Sequence, residues 1–212
     1  VIDGDIIYTV DRLWNRVGCG ADDKNGLWVI MNLLYSEPVL KVALFVQEER
    51  DGELAGCRGA RVCDLSFFSD VKFILECDRK GSSDVVYIGK GETCLCDSGF
   101  IPEHLLHKYG YGIVKGGKTD VVELKMRGLK IPVCNISCGY YNPHTTSEYT
   151  DVGELINCLH FVREIVQTVG HTPHEYKPYT STYPVNKGFI AQLALDWDDS
   201  LEDDYYNWYE RY

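Results

Sequence analysis

Four features that mark large protein classes are missing from this 212-residue sequence. It has no run of 18 or more apolar residues, so we expect no membrane-spanning helix. With 21 Lys and Arg against 32 Asp and Glu, its net charge of -11 argues against non-specific nucleic-acid binding. No basic-then-apolar signal segment is present, and the nine Cys lack the Cys-x2-Cys spacing of structural zinc sites. We therefore expect a cytoplasmic protein with reduced thiols that binds neither nucleic acid nor membrane.

The negative charge is concentrated near the C-terminus. Residues 196–212 hold seven acids and one base, so the rest of the chain is only mildly acidic. Aromatic and apolar residues recur there in steps of three or four, the spacing of one helix face: Trp197, Leu201, Tyr205, Trp208 and Tyr212. We predict a single domain over residues 1–190 and a helical acidic tail over 191–212, which packs on its own domain or on a partner.

The hydrophobic pattern predicts an α/β fold. A hairpin is expected over residues 1–10, with Asp3-Gly4 at its turn. Apolar runs typical of buried strands occupy 41–47, 72–77, 84–88 and 131–137, and helical patterns occupy 25–35, 101–109, 119–128 and 151–169. This alternation predicts a three-layer sandwich, in which a mostly parallel central sheet is flanked by helices.

Carboxylates and one His follow the ends of these predicted elements. Asp22 and Asp23 directly precede a helix, whereas Glu48-Glu49, Asp78 and His144 follow predicted strands. Ligands of open α/β sheets bind beyond the carboxyl ends of the strands, so these side chains can converge there. Each also has a plainer interpretation: an Asp pair can cap a helix, a Glu pair can be solvated, and a lone His can be structural.

Such a group of side chains has the chemistry of a metal site. Asp, Glu and His together suit zinc, manganese or cobalt. Clustered carboxylates repel one another, and a pair of cations removes that cost. Bound cations also activate water and polarise carbonyl groups. The pattern thus predicts two divalent metal ions, zinc before manganese or cobalt, in a hydrolase.

The order of these motifs resembles the co-catalytic zinc exopeptidases, which include aminopeptidases, tripeptidases and glutamate carboxypeptidase-like enzymes. The resemblance rests on Gly-Ala-Asp-Asp-Lys-x-Gly at residues 20–26, a Glu-Glu pair about 25 residues later, Asp78 after a strand, and His144 with a later Thr and Glu. It covers residues 18 to about 170. It implies hydrolysis of short peptides by an aminopeptidase or di/tripeptidase.

The resemblance also assigns metal ligands. It implies that Asp22 bridges two metals, that Glu49 and His144 bind the second metal, and that Asp78 binds the first. It further implies a cis peptide bond between Asp22 and Asp23. The family's other metal-binding His lies in a His-x-Asp motif, yet no His precedes His104 here. We expect that motif either upstream of Val1 or missing from the protein; without it, a single-metal or inactive relative becomes credible.

Other residues receive supporting roles from the same resemblance. Glu48 would be the general base, and Asp23 would orient the neighbouring ligands. Asp120 would shape the substrate pocket or simply cap a helix. Only 66 positions separate Asp78 from His144, which leaves no room for the lid domain that many relatives insert there. An open pocket, or one closed by a second subunit of a homo-oligomer, is therefore expected.

Two alternatives to a peptidase remain at this stage. An amidohydrolase of N-acyl amino acids would use the same residues. A catalytically inactive relative would act as a structural or interaction protein, with the acidic aromatic tail of residues 191–212 binding a partner.

Overall fold

Helices and strands alternate along much of the chain. The computed structural model describes residues 1–37, 40–49 and 56–170. The strands are β1 (Ile2–Asp3), β2 (Ile6–Ile7), β3 (Thr9–Val10), β4 (Arg16–Val17), β5 (Ile74–Arg79), β6 (Asp84–Gly89), β7 (Thr93–Cys94), β8 (Gly112–Lys115), β9 (Val133–Ser137), β10 (Tyr140–Tyr141) and β11 (Tyr149–Asp151). The helices are α1 (Ala21–Ser36), α2 (Arg58–Val62), α3 (Glu103–Tyr109), α4 (Asp120–Met126) and α5 (Val152–Val169). The predicted tail of residues 191–212 lies outside the described residues.

The predicted N-terminal hairpin is confirmed. Strands β1 and β2 pair antiparallel around Gly4, whose φ of 58° is the left-handed conformation that favours glycine in tight turns. Strand β2 continues into a small sheet in the order β1-β2-β11-β10. This sheet joins the N-terminus to the segment that carries His144, because β10 ends three residues before that His.

The central sheet is mixed, so the prediction of a mostly parallel sheet was wrong. Its order is β5-β9-β6-β7, with β8 also paired to β6. Strands β5 and β9 pair in parallel, as do β6 and β8, but β6 runs antiparallel to both β9 and β7. Only residues 80–83 connect β5 to β6, and a parallel crossover needs a dozen residues or more. The short connection therefore reverses the chain, and β9 inserts between the two strands.

Successive residues of the central strands pack on opposite sides of the sheet. Val85 belongs to one apolar cluster with residues of α1, α3 and α5, whereas its neighbour Val86 packs with Val121 and Val122 of α4. This alternation is the two-residue period of a strand. The described core is thus a mixed α/β arrangement with helices packed against two faces of one sheet.

The predicted strand over 41–47 does not form. No strand is assigned within residues 40–49, and Leu44 and Val46 are 62% and 67% exposed rather than buried. The carbonyl groups of Val46, Gln47 and Glu48 accept hydrogen bonds from the N–H groups of Gly59, Arg58 and Cys57. They are therefore paired with the start of α2 instead of a neighbouring strand.

Helix α5 agrees closely with the prediction for 151–169. The Asp151 side chain accepts a hydrogen bond from the Glu154 N–H, as expected for an N-terminal cap. Within the described part of the chain, no helix is both long and apolar enough to span a membrane.

Candidate metal centre

The site begins at Gly20 and the irregular first turn of α1. Gly20 has a φ of 64°, and the Asp22–Asp23 peptide bond is cis, as the resemblance implies. Asp22 and Asp23 have non-helical backbone angles, so the regular helix starts after them. Because the backbone is not helical here, the two adjacent carboxylates contact different groups: Asp22 contacts His144, and Asp23 contacts the Gly26 N–H.

Three predicted ligands meet in one place. The ligand atoms of Asp22, Glu49 and His144 all lie within 4.8 Å of one another. His144 Nε2 is 3.1 Å from Asp22 Oδ2 and 3.3 Å from Glu49 Oε1. Hydrogen bonds to these two carboxylates raise the pKa of His144 to about 10. The cationic imidazole is thus paired with both carboxylates here, and it must release its proton before Nε2 can bind a metal ion.

Asp78 lies beside this group rather than inside it. Asp78 belongs to β5, whereas the prediction placed it just after that strand. Its carboxyl group is in hydrogen-bond contact with Asp22, and burial together with the nearby charge of Asp23 raises the pKa of Asp78 well above its usual range. The Asn135 side chain bonds both the N–H and the carbonyl of Asp78, at 3.1 and 2.9 Å. These two bonds hold Asp78 where the β5–β9 register shifts.

Asp23 points into the protein at the start of α1. One carboxylate oxygen accepts the N–H of Gly26 at 2.9 Å. Burial raises the pKa of Asp23 to about 8, and the charge of Asp22 adds to the shift. Gly26 is required at this contact, because a Cβ there would lie 2.3 Å from the Cys77 carbonyl oxygen and about as close to Asp23.

Glu48 is half-buried next to the ligand Glu49. Burial and the charge of Glu49 raise the pKa of Glu48 to about 7. The thiol of Cys57, at the start of α2, donates to Glu48 Oε1 at 3.3 Å. A carboxylate with a pKa near neutrality is suited to both accept and release a proton.

Glu148 is a site residue to which the sequence assigned no role. It is buried, and its two carboxylate oxygens accept the N–H groups of Gly20 (2.6 Å) and Asp22 (3.1 Å). Asn25, also buried, bonds the carbonyl of Cys138 and the hydroxyl of Thr150. The only sequence signal for Glu148 was its place four residues after His144, and Asn25 was only an unspecified position of the 20–26 motif.

A cavity of about 590 Å³ joins these groups to a second pair of carboxylates. Asp22, Glu48, Glu49 and Asp78 line it, and so do Glu76 and Asp120 together with apolar side chains of α1, β5 and α5. Asp120 is the first residue of α4, but Thr119 at the preceding position makes no side-chain capping bond. Burial raises the pKa of Asp120 to about 6.

Solved structures share this fold. Aminopeptidase APDkam598 from the archaeon Desulfurococcus kamchatkensis matches with a TM-score of 0.50 and 20% identity, over 78% of this chain and 55% of that chain. PhTET1-12s, a dodecamer in its asymmetric unit, matches with a TM-score of 0.51 and 17% identity, over 78% of this chain and 52% of that chain. The TET aminopeptidase from the marine sediment archaeon Thaumarchaeota archaeon SCGC AB-539-E09 matches with a TM-score of 0.50 and 18% identity, over 77% of this chain and 52% of that chain.

These likenesses establish a common fold. The chain spans about half the length of the three structures it matches. No protein-family model matches the sequence, and none of the curated proteins does.

The donor set fits a metal ion. Imidazole nitrogen and carboxylate oxygen are both donors that zinc accepts, and catalytic zinc sites have three protein ligands and a further position for water or substrate. Among the described residues, Asp22, Glu49 and His144 form the one group of three close enough to hold an ion. Asp78, beside Asp22, belongs to no such group, so a first site built on Asp22 and Asp78 has two ligands in this part of the chain.

Proposed function

We propose that this chain is a metal-dependent exopeptidase of the aminopeptidase or di/tripeptidase type, with residues 1–190 as its catalytic domain. The convergence of Asp22, Glu49 and His144 beside Glu48 carries the proposal. Two of the solved structures with this fold are named as aminopeptidases, which supports the same reaction class. The dodecameric PhTET1-12s supports a homo-oligomer as part of the proposal.

The proposal assigns the metal ligands as follows, and the grouping of Asp22, Glu49 and His144 supports it. Asp22, Glu49 and His144 would hold one divalent ion, and Asp22 with Asp78 would contribute to a second. A bound zinc, manganese or cobalt ion supplies Lewis acidity, which polarises the scissile carbonyl and lowers the pKa of water. Glu148 and Asn135 keep Asp22 and Asp78 in place through bonds to their backbones. Positioned supports of this kind preserve ligand geometry.

Glu48 moves the proton in this proposal. Its carboxylate takes a proton from the attacking water and delivers it to the nitrogen of the leaving amine. The pKa near 7 lets the same group act as base and then as acid. Asp23 contacts the Gly26 N–H and fixes the turn that presents Asp22, so it acts on orientation rather than on the proton.

Two alternatives are tied to particular observations. An amidohydrolase of N-acyl amino acids would use the same ligands and the same base. An inactive relative is favoured by Asp78, which belongs to no group of three potential metal ligands among the described residues.

The test compares the parent with Glu48→Gln, each prepared as the full chain with zinc present. We expect the parent to hydrolyse a tripeptide such as Leu-Gly-Gly. Glu48→Gln should retain its metal but lose at least about 100-fold in kcat, because a general base contributes that much. The exposed Glu92 provides the control, and Glu92→Gln should match the parent. Turnover by Glu48→Gln at the parental rate, or a metal-loaded parent without hydrolysis, would overturn the proposal.

A further inference from the structure

The thiol of Cys57 contacts the proposed base but takes no part in the proposed function. Cys57 directly precedes α2 and is only 1% exposed. Its thiol donates to Glu48 Oε1 at 3.3 Å, and its backbone N–H donates to the Glu48 carbonyl at 2.9 Å. One residue therefore holds both the backbone and the carboxylate of Glu48.

The Glu48 side chain depends on contacts of this kind for its direction. Glu48 belongs to the segment 40–49, in which no helix or strand is assigned. The Cys57 thiol is also in hydrogen-bond contact with Asp120, the first residue of α4. Cys57 thus ties an irregular segment of the site to the starts of two helices.

The backbone at Cys57 is unusual for a residue with a side chain. Its φ of 54° lies in the left-handed region, where glycine is the residue without steric cost. A side chain at such an angle is strained, and the strain persists only where surrounding contacts hold it. At this position the side chain is enclosed and ends on Glu48.

The thiol acts as the donor in this contact. Burial, together with the charges of Glu48 and Asp120, raises the pKa of Cys57 well above its ordinary value. An ionised carboxylate can only accept hydrogen bonds. The proton of the contact therefore stays on sulfur while Glu48 is ionised, and Glu48 keeps its capacity to accept a proton elsewhere.

We propose that Cys57 is a positioning residue, whose thiol holds the Glu48 carboxylate in the direction needed to take a proton from the attacking water. The inference rests on the proposed function, in which Glu48 is the base. Because Cys57 is enclosed, it does not touch the substrate, so its loss should lower kcat and leave KM unchanged.

A packing role would have a different signature. Cys57 also belongs to an apolar cluster with Ala60, Phe68 and Leu124. If packing were its only role, Cys57→Ala would be tolerated better than Cys57→Ser, which places a hydroxyl group in apolar surroundings. A positioning role predicts the opposite order in kcat, because Ser keeps an O–H donor and Ala has none.

The first experiment measures kcat, KM, zinc affinity and urea unfolding for both variants, each as the zinc-loaded full chain with Leu-Gly-Gly. Cys57→Ala should lose about tenfold to a hundredfold in kcat, with KM and zinc affinity within about twofold of the parent. Cys57→Ser should keep kcat within about threefold. Cys96 is also 1% exposed and does not line the site cavity, so Cys96→Ala and Cys96→Ser are the matched controls and should keep the parental kcat. Equal kcat values of the two Cys57 variants, or losses that follow the free energy of unfolding, would overturn the proposal.

A second measurement does not depend on activity. Crystal structures of the parent and Cys57→Ser should show the Glu48 carboxylate in one direction, and that of Cys57→Ala should show it turned away or in several conformers. The parental direction of Glu48 in Cys57→Ala would overturn the positioning role even if peptides are hydrolysed. A Glu48 ordered only where residue 57 has a donor, in a parent that hydrolyses no peptide, would uphold the positioning role and reject the peptidase. Cys57→Gly, which suits the left-handed backbone, serves if Cys57→Ala does not fold.

Discussion

His144 Nε2 lies 3.1 Å from Asp22 Oδ2, although 122 residues separate the two in the sequence. Asp22 comes from the irregular first turn of α1, and His144 comes from the segment after β10. Glu49 completes the group from a third part of the chain. The site therefore exists only in the folded protein, and its parts can be tested one at a time.

Removal of His144 should weaken metal binding. We expect His144→Ala to raise the zinc dissociation constant by at least about 100-fold, because the imidazole is the one nitrogen donor of the group. A competition titration against a zinc chelator measures the change. The exposed His160 of α5 supplies the control, and His160→Ala should bind as the parent does. Equal affinities of His144→Ala and His160→Ala would show that the metal binds elsewhere.

Glu148 should matter for stability as well as for metal binding. Glu148→Ala leaves the N–H groups of Gly20 and Asp22 without their acceptor, and we expect a loss of about 2–4 kcal/mol in the free energy of unfolding. Glu148→Gln keeps one oxygen and should lose less. Urea unfolding of the metal-free protein measures both. The exposed Glu103 is the control, and a Glu148→Ala variant as stable as Glu103→Ala would contradict the bonding described.

Gly26 should not tolerate a side chain. A Cβ at this position would meet the Cys77 carbonyl oxygen at 2.3 Å and Asp23 Oδ2 at 2.5 Å, so α1 would have to move away from β5. We expect Gly26→Ala to lose at least about 2 kcal/mol of unfolding free energy. Gly117 has nothing within 4 Å of its Cβ position, and Gly117→Ala should stay within about 0.5 kcal/mol of the parent. Thermal unfolding that ranks the two variants equally would be incompatible with this packing.

Lys125 should make stability depend on pH. Burial lowers the pKa of this α4 residue from 10.5 to about 8, while its ammonium group donates to the Ile131 carbonyl. Between pH 8 and pH 10.5 the unfolded chain keeps a proton that the folded chain has released. Stability therefore rises with pH in that window, by up to about 3 kcal/mol, and not below it. Lys125→Met should lack this rise in urea unfolding series, and parallel profiles of variant and parent would show that Lys125 titrates normally.

Local signals in the sequence predict the helices well. Helix α5 carries its own cap at Asp151 and its own apolar stripe, including Leu155 and Leu159, so no distant contact is needed to place it. The apolar run at 41–47 carries no local signal that indicates which segment its backbone groups will bond to. Whether an apolar segment becomes a strand depends on which backbone groups lie beside it, and here the start of α2 supplies them.

Local sequence signals also fail to predict the strand order of the sheet and some residues of the site. The mixed order of β5, β9 and β6 arises because β9, which begins more than 40 residues after β6 ends, inserts between β5 and β6, and hydrophobic periodicity does not report such an insertion. Asp22, Glu49 and His144 could be grouped because carboxylates and imidazole at element ends suit a metal. Glu148 and Asn135 act through hydrogen bonds to backbone groups of distant segments, and their residue types alone do not indicate those partners.

The most direct test of the central claim is anomalous X-ray diffraction at the zinc edge from crystals of the zinc-loaded full chain. The claim is that Asp22, Glu49 and His144 hold a divalent cation. We predict an anomalous peak in contact with His144 Nε2 and with carboxylate oxygens of Asp22 and Glu49. A zinc-loaded crystal with no peak at these three side chains would contradict the account.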